Sequence, residues 1–138
     1  MKNEVREKIK KYKELKADII EIDFRLEELE EEILGISSLP QGEKISKTYK
    51  ITSSVENQVE RYLDIKEKLI SKRLLKVRNV QRIENALSVL NDDEKDIVRM
   101  IIIEKKKYQL VQNKYGKTYS RIKQIELEAL NRMKKYIL

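Results

Sequence analysis

The sequence predicts an all-α protein, in which a long N-terminal coiled-coil helical hairpin is followed by a C-terminal helix-turn-helix domain. Only 3 Gly and 1 Pro occur among 138 residues, which leaves little material for the tight turns of a β-sandwich or barrel. Apolar residues recur at heptad spacing in long segments, as in helices that pack along one stripe. Near the C-terminus, a short turn containing Gly precedes a basic helix, which is the outline of a helix-turn-helix.

Residue type alone excludes several classes of chemistry. The chain contains neither Cys nor His, which excludes thiol chemistry, disulfides, Ser-His triads and zinc sites. No apolar run approaches the ~18 residues of a membrane span, and residues 1–16 lack the apolar core of a signal peptide. We therefore expect a soluble, cytoplasmic protein that uses no metal or cofactor and is not an enzyme.

The net charge of +7 is distributed unevenly along the chain. Residues 1–34 carry −3 and residues 35–90 carry +5, whereas residues 91–104 carry −3 and residues 105–138 carry +8. The concentration of positive charge in the last quarter favours a polyanionic partner, and nucleic acid in particular. A solubilising lysine surface is the alternative interpretation.

Residues 1–36 are predicted to form a coiled-coil helix. Their apolar residues follow a heptad that is interrupted only at Lys8. The a and d positions are Val5, Tyr12, Leu15, Ile19, Ile22, Leu26, Leu29, Ile33 and Ile36. Such a stripe must pack against another helix, because one helix cannot bury its own stripe.

A polar linker and a second long helix follow. Residues 37–53 contain the only Pro and several Ser and Lys residues, which is typical of a linker. Ser53 and Glu56 have the spacing of a capping box, so the second helix is predicted over residues 54–90. Its apolar face comprises Val55, Val59, Tyr62, Leu63, Ile70, Leu74, Val77, Val80, Ile83, Leu87 and Leu90. We expect the two long helices to pair as an antiparallel hairpin within one chain; pairing between two chains, which would give a homodimer, is the alternative.

Residues 91–138 are predicted to form the helix-turn-helix domain. Asn91 is placed to cap a helix whose apolar residues, from Ile97 to Ile103, suit the centre of a globular unit. Gly116 tolerates positive φ and supplies the turn, and Thr118 is placed to cap the final helix. The residues expected to pack the two helices together are Tyr108, Val111, Tyr115, Ile122, Ile125, Ala129 and Leu130. A short helix, turn and long helix in an unrelated bundle would have the same outline.

The other face of the final helix carries hydrogen-bond donors that suit double-stranded DNA. Arg and Lys can read guanine edges, Gln can read adenine, and Ser can bond base or phosphate. The candidates at the start of this helix are Tyr119, Ser120, Arg121, Lys123 and Gln124. Arg121, Lys123 and Gln124 are expected to read bases in the major groove. The residues expected to hold phosphates are Lys107, Lys114, Lys117 and Thr118.

Residues 107–134 resemble the helix-turn-helix of bacterial sigma factor region 4. The strongest similarity lies in Thr118, the run Arg121-Ile-Lys-Gln-Ile-Glu126 and the pair Ala129-Leu130, which match the family pattern T-x-x-R-I-R-Q-I-E-x-x-A-L. The segment from Glu94 to Met100 resembles the helix that precedes this motif in the family. The resemblance covers about residues 90–138, a third of the chain, and implies DNA binding and contact with the RNA polymerase β-subunit flap.

The chain also departs from this family. Tyr119-Ser120 replaces the Arg-Glu pair that reads the −35 promoter element in the family, so the resemblance implies a different DNA target. Asp93 and Ile101 stand where primary sigma factors have phosphate-contacting Arg. Residues 1–90 show nothing like region 2, so the chain is not a self-sufficient initiation factor. The overall layout is similar to phage late-transcription activators of the RinA/ArpU type.

These observations predict a sequence-specific DNA-binding transcription regulator, an activator of phage or prophage late genes that acts at promoters with host RNA polymerase. The alternative is a protein-interaction module that binds RNA polymerase or mimics sigma region 4 without reading DNA. The basic C-terminal region favours DNA, whereas the loss of the Arg-Glu pair favours the alternative. An enzyme is the least favoured class, because two long amphipathic helices do not indicate a catalytic pocket.

Overall fold

Helices make up all the regular secondary structure in the described part of the chain. The structure is a computed structural model that describes residues 2–37 and 48–138. The helices are α1 (Lys2–Lys10), α2 (Tyr12–Ser37), α3 (Thr48–Ser88), α4 (Asp92–Val98), α5 (Tyr108–Tyr115) and α6 (Tyr119–Ile137), and a π-helical turn, Arg99–Ile103, continues α4. The predicted all-α class with a C-terminal helix-turn-helix is confirmed. Most of the predicted linker lies outside the described residues.

Two compact units form within the chain. Asp18–Lys76 is the two-helix unit, which is made from parts of α2 and α3. Met1–Ala17 and Val77–Leu138 together make the globular unit, which contains α1, the remaining parts of the long helices and α4 to α6. The N-terminal segment of the chain thus belongs to the same unit as the helix-turn-helix. None of the described helices combines the length and the apolarity that a membrane span requires.

In the two-helix unit, α2 and α3 pair in opposite directions. Arg73 donates two hydrogen bonds to Asp23, from Nε to Oδ1 at 2.7 Å and from Nη2 to Oδ2 at 3.3 Å. Lys76 Nζ lies 2.9 Å from Asp18 Oδ2. The direction is antiparallel because the later residue of α2 pairs with the earlier residue of α3. The predicted stripe of α2 is the side removed from solvent, with Ile22 buried and Ile19, Leu26, Leu29 and Ile33 half-buried.

The buried face of α3 in this unit differs from the predicted apolar face. Leu63, Ile70 and Leu74 were expected to be covered, but they are 55%, 47% and 47% exposed. Arg73 and Lys76 are half-buried instead. Both form ion pairs with α2, and their long aliphatic stems allow charged residues to occupy a helix interface.

The first predicted helix is divided at Lys11 into α1 and α2. Val5 and Ile9 are 1% and 0% exposed, and both belong to the core of the globular unit. Lys8, which interrupts the heptad, is exposed, and Ile9 takes the buried position one residue later. The break separates an N-terminal helix that packs into the globular core from a second helix that continues the heptad.

The predicted N-terminal cap is absent from α3 but present in α4. α3 begins at Thr48, so Ser53 of the expected capping box lies within the helix. A helix cap contributes only about 1 kcal/mol, which a longer run of backbone hydrogen bonds can outweigh. The predicted cap of α4 is confirmed. Asn91 Oδ1 accepts a hydrogen bond from the Glu94 amide at 2.8 Å, and Glu94 Oε1 accepts one from the Asn91 amide at 3.3 Å.

The core of the globular unit centres on the apolar residues from Ile97 to Ile103, as predicted. All of these except Arg99 are 7% exposed or less. α4 packs on α6, and the π-helical turn contacts α1 and α5, which explains why four successive side chains from Met100 to Ile103 are buried. Residues from other helices complete the core: Val5, Ile9, Ala86, Leu90, Val111, Ile122, Ile125, Ala129, Leu130, Met133 and Ile137.

Candidate nucleic-acid interface

A short turn with a defined backbone conformation joins α5 to α6. Gly116 has φ 60° and ψ 35°, a left-handed conformation that Gly adopts without steric cost. The Lys117 amide donates to the Gln112 carbonyl at 3.2 Å and closes α5. Thr118 Oγ1 accepts a hydrogen bond from the Arg121 amide at 3.3 Å, so the predicted cap of α6 is confirmed.

The inner faces of α5 and α6 pack into the globular core. The seven residues predicted to join these helices are all buried or half-buried: Tyr108, Val111, Tyr115, Ile122, Ile125, Ala129 and Leu130. Val111, Ile122 and Ala129 have no exposed surface. Burial of a large aliphatic side chain, such as that of Val111 or Ile122, stabilises the unit by about 1.5–3 kcal/mol. The opposite face of α6 is therefore held toward solvent.

Most of the residues predicted to contact DNA are exposed. Those exposed are Lys107, Lys114, Lys117, Thr118, Tyr119, Ser120, Arg121 and Gln124. Arg121 and Gln124 are three residues apart and so are neighbours on one face of α6. The Arg121 side chain has no ion-pair partner among the residues that the structure describes. The start of α6 therefore presents a group of free donors, which is a requirement for contact with base edges.

Lys123 differs from the other candidates because it is half-buried. Its Nζ lies 5.0 Å from the centre of the Tyr108 ring, and interaction with the Tyr108 hydroxyl raises the pKa of Lys123. The Tyr119 ring packs edge-on against Tyr108, with 5.2 Å between ring centres. Tyr108 thus positions two of the predicted contact residues, and Lys123 keeps its positive charge at neutral pH.

Tyr108 also belongs to a buried ionic cluster that the sequence did not predict. The Glu126 side chain is 0% exposed and forms an ion pair with Arg6 of α1. The Tyr108 hydroxyl donates to Glu126 Oε2 at 2.7 Å, and burial, followed by this carboxylate, raises the pKa of Tyr108. One signal was available: Glu126 follows Ile122 by four residues on the apolar face of α6, and a charge there needs a partner. Nothing in the sequence identified Arg6 as that partner.

A second ionic cluster fixes the end of α5. Asp96 accepts hydrogen bonds from Lys114 Nζ at 2.6 Å, from Arg99 Nη2 at 2.7 Å and from the Tyr115 hydroxyl. The bonds from Lys114 and Tyr115 lower the pKa of Asp96 to about 2, while burial and the carboxylate raise the pKa of Tyr115 to about 12. Lys114, a predicted phosphate ligand, therefore already has a carboxylate partner within the protein.

The positive charge of the chain is concentrated in the globular unit. Residues 1–17 and 77–138 contain 21 basic and 11 acidic residues, a net charge of +10, whereas residues 18–76 contain 10 basic and 13 acidic residues, a net charge of −3. The division is sharper than the sequence blocks indicated, because residues 1–17 alone carry +4. An N-terminal segment that was expected to belong to an acidic coil thus adds positive charge to the unit that contains the helix-turn-helix.

Comparison with protein families agrees with this architecture. Residues 86–135, about a third of the chain, match the family model described as sigma-70, region 4. No curated protein and no solved structure matches the chain significantly. The matched segment contains α4, the π-helical turn, α5 and all but the last two residues of α6. Residues 86–135 thus carry a sigma-70 region 4-like helix-turn-helix, a DNA-binding domain of transcription proteins.

Proposed function

We propose that this protein is a sequence-specific DNA-binding transcription regulator that acts at promoters with host RNA polymerase in the cytoplasm. The observation that carries the proposal is the start of α6, where Arg121 and Gln124 are exposed beside Lys123 on a unit of net charge +10. α6 enters the major groove, with Arg121, Lys123 and Gln124 at base edges. Lys107, Lys117 and Thr118 hold backbone phosphates, and Lys114 does so by sharing its ammonium group with Asp96.

Within this proposal, the protein is an activator of phage or prophage late genes. Support comes from the combination of a region 4-like segment with a separate two-helix unit, a layout similar to activators of the RinA/ArpU type. The match to region 4 also supports contact with the β-subunit flap of RNA polymerase. If about six phosphates are engaged, affinity for DNA falls on the order of 10³-fold between 50 and 200 mM salt.

A second copy of the chain is a further proposed partner. Leu63, Ile70 and Leu74 of α3 are about half exposed, and they recur at heptad-like spacing, which favours packing of the long helices between two chains. Light scattering on the full chain tests this homodimer. A monomer at high micromolar concentration would contradict it.

The alternative function is a protein-interaction module that does not read DNA. Tyr119 and Leu110 are 50% and 53% exposed, and aromatic and large aliphatic residues are more typical of a protein interface than of a phosphate contact. On this alternative, the unit binds RNA polymerase or a host sigma factor, and its basic residues serve solubility.

Genome-wide binding in the host, followed by a gel shift on the strongest site, separates the two functions. The double variant Arg121→Ala/Lys123→Ala should lose the shift on that site. A matched control, Arg25→Ala/Lys68→Ala, removes the same charge from the two-helix unit and should keep it. If the Arg121→Ala/Lys123→Ala variant bound the site as tightly as the parent, the assignment of α6 as the recognition helix would be wrong.

A further inference from the structure

A cationic cavity lies on the globular unit outside the segment that matches region 4. Its polar lining residues are Lys8 of α1, Lys11 at the break between α1 and α2, and Asn79 and Arg82 of α3. Ile83 and Ile137, 3% and 4% exposed, line its apolar part. Two parts of the chain that are about 70 residues apart thus bring four hydrogen-bond donors to one concave site.

The lining of this cavity contains three positively charged side chains and no negatively charged one. Lys8, Lys11 and Arg82 have no ion-pair partner among the residues that the structure describes. Outside the cavity, Glu4 and Glu7 share a neighbouring depression with Lys8 and Lys11, and Glu7 is paired with Lys10 at 3.2 Å. Three like charges around one concavity repel each other, so the arrangement favours an anion between them.

The donor set indicates which anion fits. A guanidinium group matches the oxygens of a phosphate in a bidentate manner, and Lys ammonium groups act as point charges on the same group. The Asn79 amide adds a neutral donor.

We propose that this cavity is a second anion-binding site, which holds a phosphate group between Lys8, Lys11, Asn79 and Arg82. Two sources supply that chemistry: the backbone of bound DNA and a free phosphate compound. The first source rests on the proposed function, because it extends the DNA-binding surface to the N-terminal helix. The second source is independent of DNA binding.

Charge-removing variants of the full chain test the site. The cavity variant is Lys8→Gln/Lys11→Gln/Arg82→Gln, and the matched control is Arg61→Gln/Lys68→Gln/Lys72→Gln, which removes three exposed charges from the two-helix unit. Circular dichroism establishes that each variant is folded. If the triple cavity variant does not fold, the single variants Lys11→Gln and Arg82→Gln replace it.

Two measurements distinguish the sources. In the first, inorganic pyrophosphate is titrated at constant ionic strength while NMR follows the backbone amides of Asn79, Arg82 and Ile83. In the second, fluorescence anisotropy gives the affinity for a DNA duplex at several salt concentrations. If DNA is the source, the cavity variant lowers the slope of log affinity against log salt by about 1 for each phosphate lost, and the control does not.

Each outcome decides the proposal. A reduced salt slope in the cavity variant supports the site with DNA as the source. If pyrophosphate causes saturable amide shifts in the parent but not in the cavity variant, and the salt slope of DNA binding is unchanged, the site is supported with a free phosphate compound as the source. If the parent binds no DNA, the proposed function fails, and the pyrophosphate titration alone decides whether the cavity binds phosphate. If the parent and the cavity variant gave the same result in both measurements, the proposal would be overturned.

Discussion

Replacement of Arg6 by Met should destabilise the globular unit strongly, although Arg6 lies outside the segment that matches region 4. Arg6 is the ion-pair partner of Glu126, whose side chain is 0% exposed. Met keeps much of the aliphatic volume of Arg but removes the charge. Glu126 would then be a buried carboxylate that has lost its ion pair and keeps the hydrogen bond from Tyr108 at 2.7 Å. An uncompensated buried charge is one of the costliest defects in a protein core.

The size of the effect follows from burial of the pair. Removing one member of a buried ion pair costs about 3–5 kcal/mol. Arg6 is 22% exposed and Tyr108 still bonds Glu126, so we expect a loss of about 2–3 kcal/mol in the free energy of unfolding. The double variant Arg6→Met/Glu126→Gln has no buried charge at this site and should recover at least ~1 kcal/mol of that loss.

Hydrogen exchange of backbone amides in α6 is the appropriate assay, because it reports opening of the globular unit without interference from the two-helix unit. Arg25→Met is the control. Arg25 and Glu21 are 3.7 Å apart and about 60% exposed, so that variant should lose less than ~0.5 kcal/mol. If Arg6→Met lost no more than the control, or if the double variant were no more stable than Arg6→Met, the buried pair would not stabilise α6.

Three further predictions concern local features of the helix-turn-helix. The pKa of Asp96 is lowered from 3.8 to about 2 in the folded protein. The ionised Asp96 therefore contributes up to about 2 kcal/mol to stability at pH values above its pKa in the unfolded chain, and this contribution is lost as the pH falls from about 4 toward about 2. In Asp96→Asn, the free energy of unfolding measured with urea should depend less on pH over that range. A pH dependence as steep as that of the parent would contradict the assignment. Gly116→Ala should lower the free energy of unfolding by about 1 kcal/mol because of the positive φ at this position. An added Cβ would meet no neighbouring atom within 4 Å, so backbone strain is the expected source of the loss. Thermal unfolding should show a smaller loss for Gly116→Asn, and equal losses would be evidence against backbone strain. Thr118→Ala should lower the free energy of unfolding by about 0.5–1 kcal/mol because it removes a helix cap, while Thr118→Ser should retain most of the stability. Equal destabilisation of both variants in the same thermal assay would refute the cap.

The turn between α5 and α6 was predictable because its determinants are local. Gly116 is the residue that accepts the left-handed conformation, and Thr118 is a residue type that caps helices. Ile122, Ile125 and Ala129 are spaced three and four residues apart, which defines the buried face of α6 before any partner is known. Each of these expectations depends on residues fewer than 15 positions apart in the sequence.

Features that depend on distant residues were not predictable in the same way. A heptad through Val5 looks the same whether the helix joins a coiled coil or packs into a globular core, and Ile9 lies outside the heptad altogether. Arg6 and Glu126 are separated by most of the chain, so no spacing rule connects them. On α3, Arg73 and Lys76 form ion pairs with α2 at half-buried positions, while Leu63, Ile70 and Leu74 are about half exposed. Pattern-based reasoning treats such basic residues as solvent-facing.

DNA reading by α6 is tested most directly by the ratio between the affinity for the strongest genomic site and the affinity for a scrambled duplex of the same composition. Fluorescence anisotropy at fixed salt gives both values. The parent should prefer its site by at least ~10³-fold, and Arg121→Ala should reduce this preference by about 10- to 100-fold, since a base contact contributes about 1–3 kcal/mol. Lys117→Ala, at an exposed position beside the turn, should weaken both affinities alike. A parent without preference, or an Arg121→Ala variant with an unchanged ratio, would contradict the claim that α6 reads DNA.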